Sequence, residues 1–321
     1  MSEAPYLSDI AAGPEQAICR WVDMGGALRI RMGAFPSPGA RGTVLVFTGR
    51  TEFIEKYGPF ARDFALRGLA MATCDWRGQG LSSRLVADPC VGHVEDFADY
   101  QADARALVEF ARDEGLPEPY FLVAHSLGGC IGLRSLMEGL PVRAAVFSAP
   151  MWGIEINPVL RPLAWMLTAL VSNSALGERY APGTGRETYV DVEPFEGNQL
   201  TTDQATYEWL KSQTTAHPAL QLGGPSIRWL HGALREMRAL AAMPSPDMPC
   251  LTFLGTNERI VSPSRIHDRM RRWPGGELVM VDSAEHEVLM ERPTMREPCL
   301  DRIAAFFHDN AQSNTPAART G

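Results

Sequence analysis

The chain has 321 residues, 45% of them hydrophobic, enough to bury one large core or two smaller ones. Its 38 acidic and 30 basic residues are interspersed and leave a net charge of −8, so no basic stripe suits nucleic acid and no polybasic segment suits anionic lipid. Cys19, Cys74, Cys90, Cys130, Cys250 and Cys299 never take the C-x-x-C spacing of a zinc or redox centre and read as reduced, buried thiols; the opening MSEAPYLSDIAAGPEQ lacks the basic and apolar blocks of a signal peptide, so a cytoplasmic location is expected.

In chain order, CRWVD (19–23) and LRIRMGAF (28–35) read as an antiparallel pair leading into a sheet. TVLVFT (43–48), LAMATC (69–74), YFLVA (120–124), VRAAVFS (142–148), CLTFLG (250–255) and ELVMVD (277–282) are apolar runs of strand length, each read as buried on both faces. Helical patterns lie between them at 57–66, 96–113, 127–137, 264–273 and 295–307. This alternation predicts an α/β fold with a mostly parallel sheet flanked by helices.

The alternation breaks from about Met151 to Met243, too long a stretch for a plain loop, and predicts an inserted helical cap at 151–243 between core segments 1–150 and 244–310. Its most apolar run, LAWMLTALV (163–171), is nine residues long, whereas crossing a bilayer takes about 20. Residues 311–321 are small and polar without periodicity and predict a disordered tail.

In open parallel sheets the reactive residues gather at the carboxyl ends of strands. Ala124-His125-Ser126-Leu127-Gly128 falls at such an end and has the form small-x-Ser-x-Gly, a sharp turn that lifts the serine hydroxyl clear of the sheet. Alanine stands where the usual pattern has its first glycine. A serine needs a base and an acid to orient it. Among seven histidines, His286 follows the strand 277–282 and so shares the edge of Ser126; His125 is expected to point away, and His93 reads as a structural hydrogen-bond partner.

The acid is expected after the strand 250–255, where TNERIVSP offers Glu258; Asp268 and Asp282 lie near enough to compete. For the oxyanion, the backbone N–H of Leu127 and that of Arg50, beside Gly49 after the strand 43–48, are the expected donors. No metal or cofactor is called for. Trp152 and Trp165, in MWGIEINPVLRPLAWMLTALV, are candidates to wall an acyl-chain pocket or to rest on a membrane surface.

These segments together resemble the serine α/β-hydrolases, and within them the branch of monoacylglycerol lipases and bacterial lysophospholipases of the inner-membrane L2 type. FTGRTEFIEKY resembles the branch's oxyanion loop, DWRGQGLSSR its D-x-R-G-x-G-x-S segment, VAHSLGG the elbow, GTNERIV the acid loop and AEHEVLMER the histidine loop. GNQLTTDQATYEW and LGGPSIRWL resemble cap segments of the lysophospholipase-like members. The chain departs from the branch at Thr48, where the lipases have histidine, and at Glu258, where most have aspartate. The resemblance implies an α/β-hydrolase fold and ester hydrolysis through an acyl-enzyme, with a lysolipid or other small-molecule ester as substrate and peripheral membrane contact through the cap. A thioesterase, amidase or perhydrolase would use the same three side chains, and a non-catalytic homologue would keep the fold alone.

Overall fold

The structure, a computed structural model, describes residues 1–15, 17–155, 168–172 and 174–311. Strands β1 (Ser2–Glu3), β2 (Ile18–Asp23), β3 (Arg29–Phe35), β4 (Thr43–Phe47), β5 (Ala70–Asp75), β6 (Tyr120–His125), β7 (Ala145–Ser148), β8 (Cys250–Gly255) and β9 (Glu277–Val281) form one sheet in the order β1-β2-β3-β5-β4-β6-β7-β8-β9. The ladder is antiparallel from β1 to β5 and parallel from β5 through β9.

Strands β4 to β8 are buried along their whole length, which explains their continuous runs of Val, Leu, Phe and Ala. The run at 277–282 departs from that expectation. It is one of the sheet's two edge strands, with Met280 43% exposed, so one side of its ladder has no neighbour in the sheet.

Two layers of helices cover the sheet. Helix α1 (Ser8–Ala11) precedes β2; α2 (Gly58–Leu66) and the last helix of the chain pack with Phe121, Val123 and Phe307 in one core. On the other face α3 (Asp99–Asp113) and α4 (Leu127–Met137) close over Trp76, Leu122 and Phe147. Between β7 and β8 come α5 (Tyr189–Val192), α6 (Gln204–Ala216) and α7 (Ile227–Ala242); α8 (Pro263–Arg271) and α9 (Pro293–Asn310) follow β8 and β9.

Helix α7 belongs to the main core, although its sequence lies in the stretch read as an insertion. Its apolar stripe of Trp229, Ala233, Met237 and Leu240 is buried, its Trp229 indole N–H donates to the Tyr100 hydroxyl at 3.0 Å, and Glu236 is held by Arg134 of α4. Among the described residues no helix is long and apolar enough to cross a membrane. Of the predicted tail at 311–321, Ala311 caps α9, which runs on to Asn310, and 312–321 lie outside the described residues.

Chain direction around the sheet fixes where a site can form. From β4 the chain goes to β5 on one side and then to β6 on the other, so the loops after β4 and β6 diverge and leave a crevice at their carboxyl ends. Ser126 and the loop Gly49–Phe53 face each other across it.

Candidate active site

The elbow is built by backbone strain that its surroundings hold in place. Ser126 sits at φ 50°, ψ −116°, a conformation that costs a non-glycine residue about 1–3 kcal/mol. Three main-chain bonds clamp it: Ser126 N–H to the Ser148 carbonyl at 3.2 Å, and the Gly129 and Met151 N–H groups to the Ser126 carbonyl at 2.9 and 2.8 Å. The glycines that follow are required by contact. A Cβ on Gly128 would lie 2.1 Å from the Phe47 carbonyl oxygen, and one on Gly129 would lie 2.5 Å from Pro150. Ala124 is accommodated because the helix offers Gly132 opposite its methyl group.

His286 follows β9 on a buried turn and gives its Nδ1–H to the Glu258 carboxylate at 2.7 Å. The other Glu258 oxygen accepts the Ile260 and Val261 N–H groups at 2.7 and 3.0 Å. Burial alone would raise the pKa of Glu258, but the charge and hydrogen bond of His286, with those two N–H groups, hold it below its usual value. For His286 burial works downward, and the Glu258 carboxylate outweighs it and raises the pKa above 6.5. The pair leaves Nε2 of His286 as the free nitrogen, and Ser126 and His286 both line one cavity of about 600 Å³.

The competing acids are elsewhere. Asp282 is exposed and accepts from the neighbouring Ser283 hydroxyl, and Asp268 pairs with Arg271 at 2.8 Å on α8. His93 holds the Ser226 hydroxyl at 2.9 Å, a structural contact.

The loop after β4 is pinned from below. Gln79 donates to the Gly49 and Glu52 carbonyls at 2.9 and 3.2 Å, the Gly49 N–H donates to the Glu52 carboxylate, and Ile54 N–H donates to Asp75 at 2.8 Å. Asp75 and Glu55 share the buried Arg31 guanidinium, which ties the first hairpin to this loop. Arg50 thereby lies on the cavity wall beside Ser126. Leu127 opens α4, so its N–H has no acceptor within the helix and points from the positive end of the helix dipole. Two such N–H groups can stabilise an oxyanion by about 3 kcal/mol each.

A cluster that sequence reasoning missed lies behind this site. His125 does not point away; it lines the cavity, with its ring 4.8 Å from that of His286. Its Nδ1–H goes to the Ser148 carbonyl at 3.0 Å, and Nε2 lies 3.6 Å from both Glu52 and Glu287. Lys56 reaches between those carboxylates, 2.7 Å from Glu52 and 2.5 Å from Glu287, and the Tyr57 hydroxyl donates to Glu52 at 2.6 Å. Burial would raise the pKa of Glu52, but Lys56 and His125 bring it down to about 2.

Glu52, His125 and Glu287 offer ligand atoms within 4.8 Å of one another, a donor set a cation could use. The Lys56 ammonium already supplies the positive charge at that point, so the donor set fits a salt-bridged anchor better than a metal centre. Only the spacing Glu52-x-x-x-Lys56 hinted at it; Glu287 and His125 come from distant segments.

Of the cap candidates, Trp152 is corrected by the structure. Its indole donates to the Gly129 carbonyl at 3.1 Å and packs between Phe147 and Trp273, in the core beneath the elbow and off the cavity wall. Trp165 lies outside the described residues. The cavity's apolar lining includes Phe53, Ile154, Leu210, Leu222, Trp229 and Ile260 instead.

A nine-stranded, mostly parallel sheet with a strained serine elbow and a carboxylate-oriented histidine at its carboxyl edge defines an α/β-hydrolase. The profile of the serine aminopeptidase S33 family matches residues 38–293, and the chain belongs to that family. Lysophospholipase L2 of Escherichia coli strain K12 is 32% identical over 287 residues, 85% of this chain and 82% of that protein. Probable lysophospholipase L2 of Haemophilus influenzae is 29% identical over 280 residues, 87% of each chain. Among solved structures, a monoglyceride lipase of Saccharomyces cerevisiae in complex with a substrate analog has a TM-score of 0.74 at 18% identity, covering 97% of this chain and 100% of that one. The protein is an ester-cleaving hydrolase.

Proposed function

We propose that the protein hydrolyses long-chain monoesters, lysophospholipids or monoacylglycerols, through an acyl-enzyme on Ser126. The observation that carries the reading is the 2.7 Å hydrogen bond from His286 to Glu258, which leaves the other imidazole nitrogen for a serine raised on a strained elbow in the same cavity. Ser126 attacks the ester carbonyl, His286 takes its proton and delivers it to the leaving alcohol, and Glu258 stabilises the imidazolium between those steps. The N–H groups of Arg50 and Leu127 hold the oxyanion. Water repeats the attack on the acyl-enzyme and releases the fatty acid.

The substrate class is supported by the cavity and by the relatives. A volume of about 600 Å³ with an apolar wall suits an acyl chain, and two relatives bear the name lysophospholipase L2 while a structural neighbour is a monoglyceride lipase. The stretch 151–243, apart from α7 and Trp152, which pack in the main core, acts as the cap and, with Trp229 of α7, supplies much of that wall; through it the protein would meet a lipid surface from the cytoplasmic side. The test is a fluorophosphonate probe with mapping of the labelled residue, beside a panel of lysophospholipids, monoacylglycerols and p-nitrophenyl esters. Label on Ser126 and turnover of the long-chain monoesters are expected. Folded protein that neither labels nor turns over any ester would end the proposal.

A further inference from the structure

One cation on the cavity wall has no anionic partner among the described residues. Arg50 extends its guanidinium to the Gly223 carbonyl and over the face of Trp229, 5.6 Å from the ring centre. Its Nε is cut off from solvent and has no hydrogen-bond partner among the described residues. No carboxylate pairs with it there, and the residues outside the description contain no Asp or Glu. Burial without a counter-charge draws its pKa down to about 10.

Two other largely buried arginines also make no ion pair among the described residues, and they show what a purely structural arginine does here. Arg84 gives its donors to the carbonyls of Gly78, Gly80, Ala219 and Gln221, and Arg269 to those of Leu240 and Met243 and to the Ser245 hydroxyl. Both staple loops, Arg84 through four such bonds and Arg269 through three. Arg50 has one such bond, and it alone of the three lines the cavity.

The segment LGGPSIRWL is shaped around it. Gly223 supplies the carbonyl, Trp229 the ring, and Gly224 and Pro225 bridge to Gly92. A Cβ on Gly92 would lie 2.9 Å from an Arg50 terminal nitrogen, so the glycine keeps the guanidinium's place open.

We infer that the Arg50 guanidinium is the phosphate-reading group of the site, so that the preferred substrate is a monoester whose leaving alcohol carries a phosphate, a lysophospholipid over a monoacylglycerol. The inference rests on the proposed ester hydrolysis and narrows its substrate. The main chain of Arg50 serves the reacting carbonyl, and its side chain serves the leaving group one side-chain length away. A planar fork matched to phosphate oxygens, held against an aromatic face, favours that anion.

The experiment is kcat/KM for lysophosphatidylglycerol divided by kcat/KM for a monoacylglycerol of the same chain, in wild type, Arg50→Lys and Arg50→Met. The ratio is expected to exceed one in wild type, to fall about tenfold or more in Arg50→Met, and to be intermediate in Arg50→Lys, which keeps the charge without the fork. Because the ratio is read, a general loss of rate from a disturbed oxyanion loop does not count. An unchanged ratio overturns the inference while leaving ester hydrolysis standing; failure of wild type to cleave either lipid defeats the proposed function itself.

A wild-type measurement guards against variants that fail to fold. sn-Glycerol 3-phosphate should inhibit monoacylglycerol hydrolysis competitively at concentrations where glycerol does not. Equal potency of the two also overturns the inference. Inhibition by the free phosphate ester together with an unchanged lipid ratio in Arg50→Met does so as well, since it places the phosphate site outside substrate recognition.

Discussion

Two histidines with nearby carboxylates stand 4.8 Å apart in this cavity, and their surroundings push their pKa values in opposite directions. His286 gives its Nδ1–H to Glu258 at 2.7 Å, and no lysine shares that carboxylate among the described residues. His125 gives its Nδ1–H to a backbone carbonyl and faces two carboxylates only at 3.6 Å, both already bound by Lys56. Burial lowers the pKa of each; it prevails at His125, whereas Glu258 reverses it at His286. Proximity of an acid to an imidazole is therefore no sign of a base. What matters is which nitrogen the acid holds and whether another cation has taken its charge.

The largest expected effect comes from removing what His286 acts on. Ser126→Ala should lower kcat on a long-chain monoester by about 10⁶-fold with urea unfolding little changed, as expected where serine and histidine act as a unit. Retained turnover would place the nucleophile elsewhere. Glu258→Gln should cost about 10⁴-fold in kcat, because the amide no longer fixes the tautomer or stabilises the imidazolium.

That second variant also tests the sign of the pKa. His286 must be neutral to act as base, so kcat/KM should rise with pH through a midpoint above 6.5 in wild type. Without the Glu258 charge the midpoint should move to lower pH. A midpoint that stays put, followed across the pH–rate profile, would mean that another group orients His286.

The residues proposed for the site could be picked out because their chemistry is local. The elbow is five consecutive residues, and Glu258 and His286 each follow a strand whose apolar run is plain, so chain order alone brought them to one edge. The anchor was not legible because it is tertiary: Lys56 meets Glu287 across 231 positions, and no periodicity records that. The departure at β9 has a similar cause. An apolar run tells of burial, yet whether a strand has neighbours on both sides depends on sheet order. Trp152 was misread because an aromatic within a predicted cap serves a core or a pocket equally well in sequence, and only the Gly129 carbonyl decides.

The anchor's own variants sharpen the contrast through stability. Lys56→Met would leave the Glu52 and Glu287 carboxylates buried without their cation, which should cost about 3–5 kcal/mol in urea unfolding. The sign with pH follows from Glu52. Its folded pKa of about 2 lies below the unfolded value, so its stabilising contribution is present above the unfolded pKa and is lost as pH falls through about 2. In Lys56→Met that depression loses its largest source, so the gap between variant and wild type should be widest at neutral pH and narrow as the pH is lowered.

The smallest effect should belong to His125. In His125→Asn the amide N–H can replace Nδ1–H toward the Ser148 carbonyl, so about 1 kcal/mol of stability is at stake, and kcat should stay within about tenfold. Reading the two histidines through the same assay makes the result decisive. His286→Asn should match Ser126→Ala, whereas His125→Asn should leave the acid limb of the pH profile where it was. Were His125→Asn to abolish turnover in folded protein, the ring beside the serine would be carrying the proton, and the division of labour between the two imidazoles would be the reverse of the one their hydrogen bonds describe.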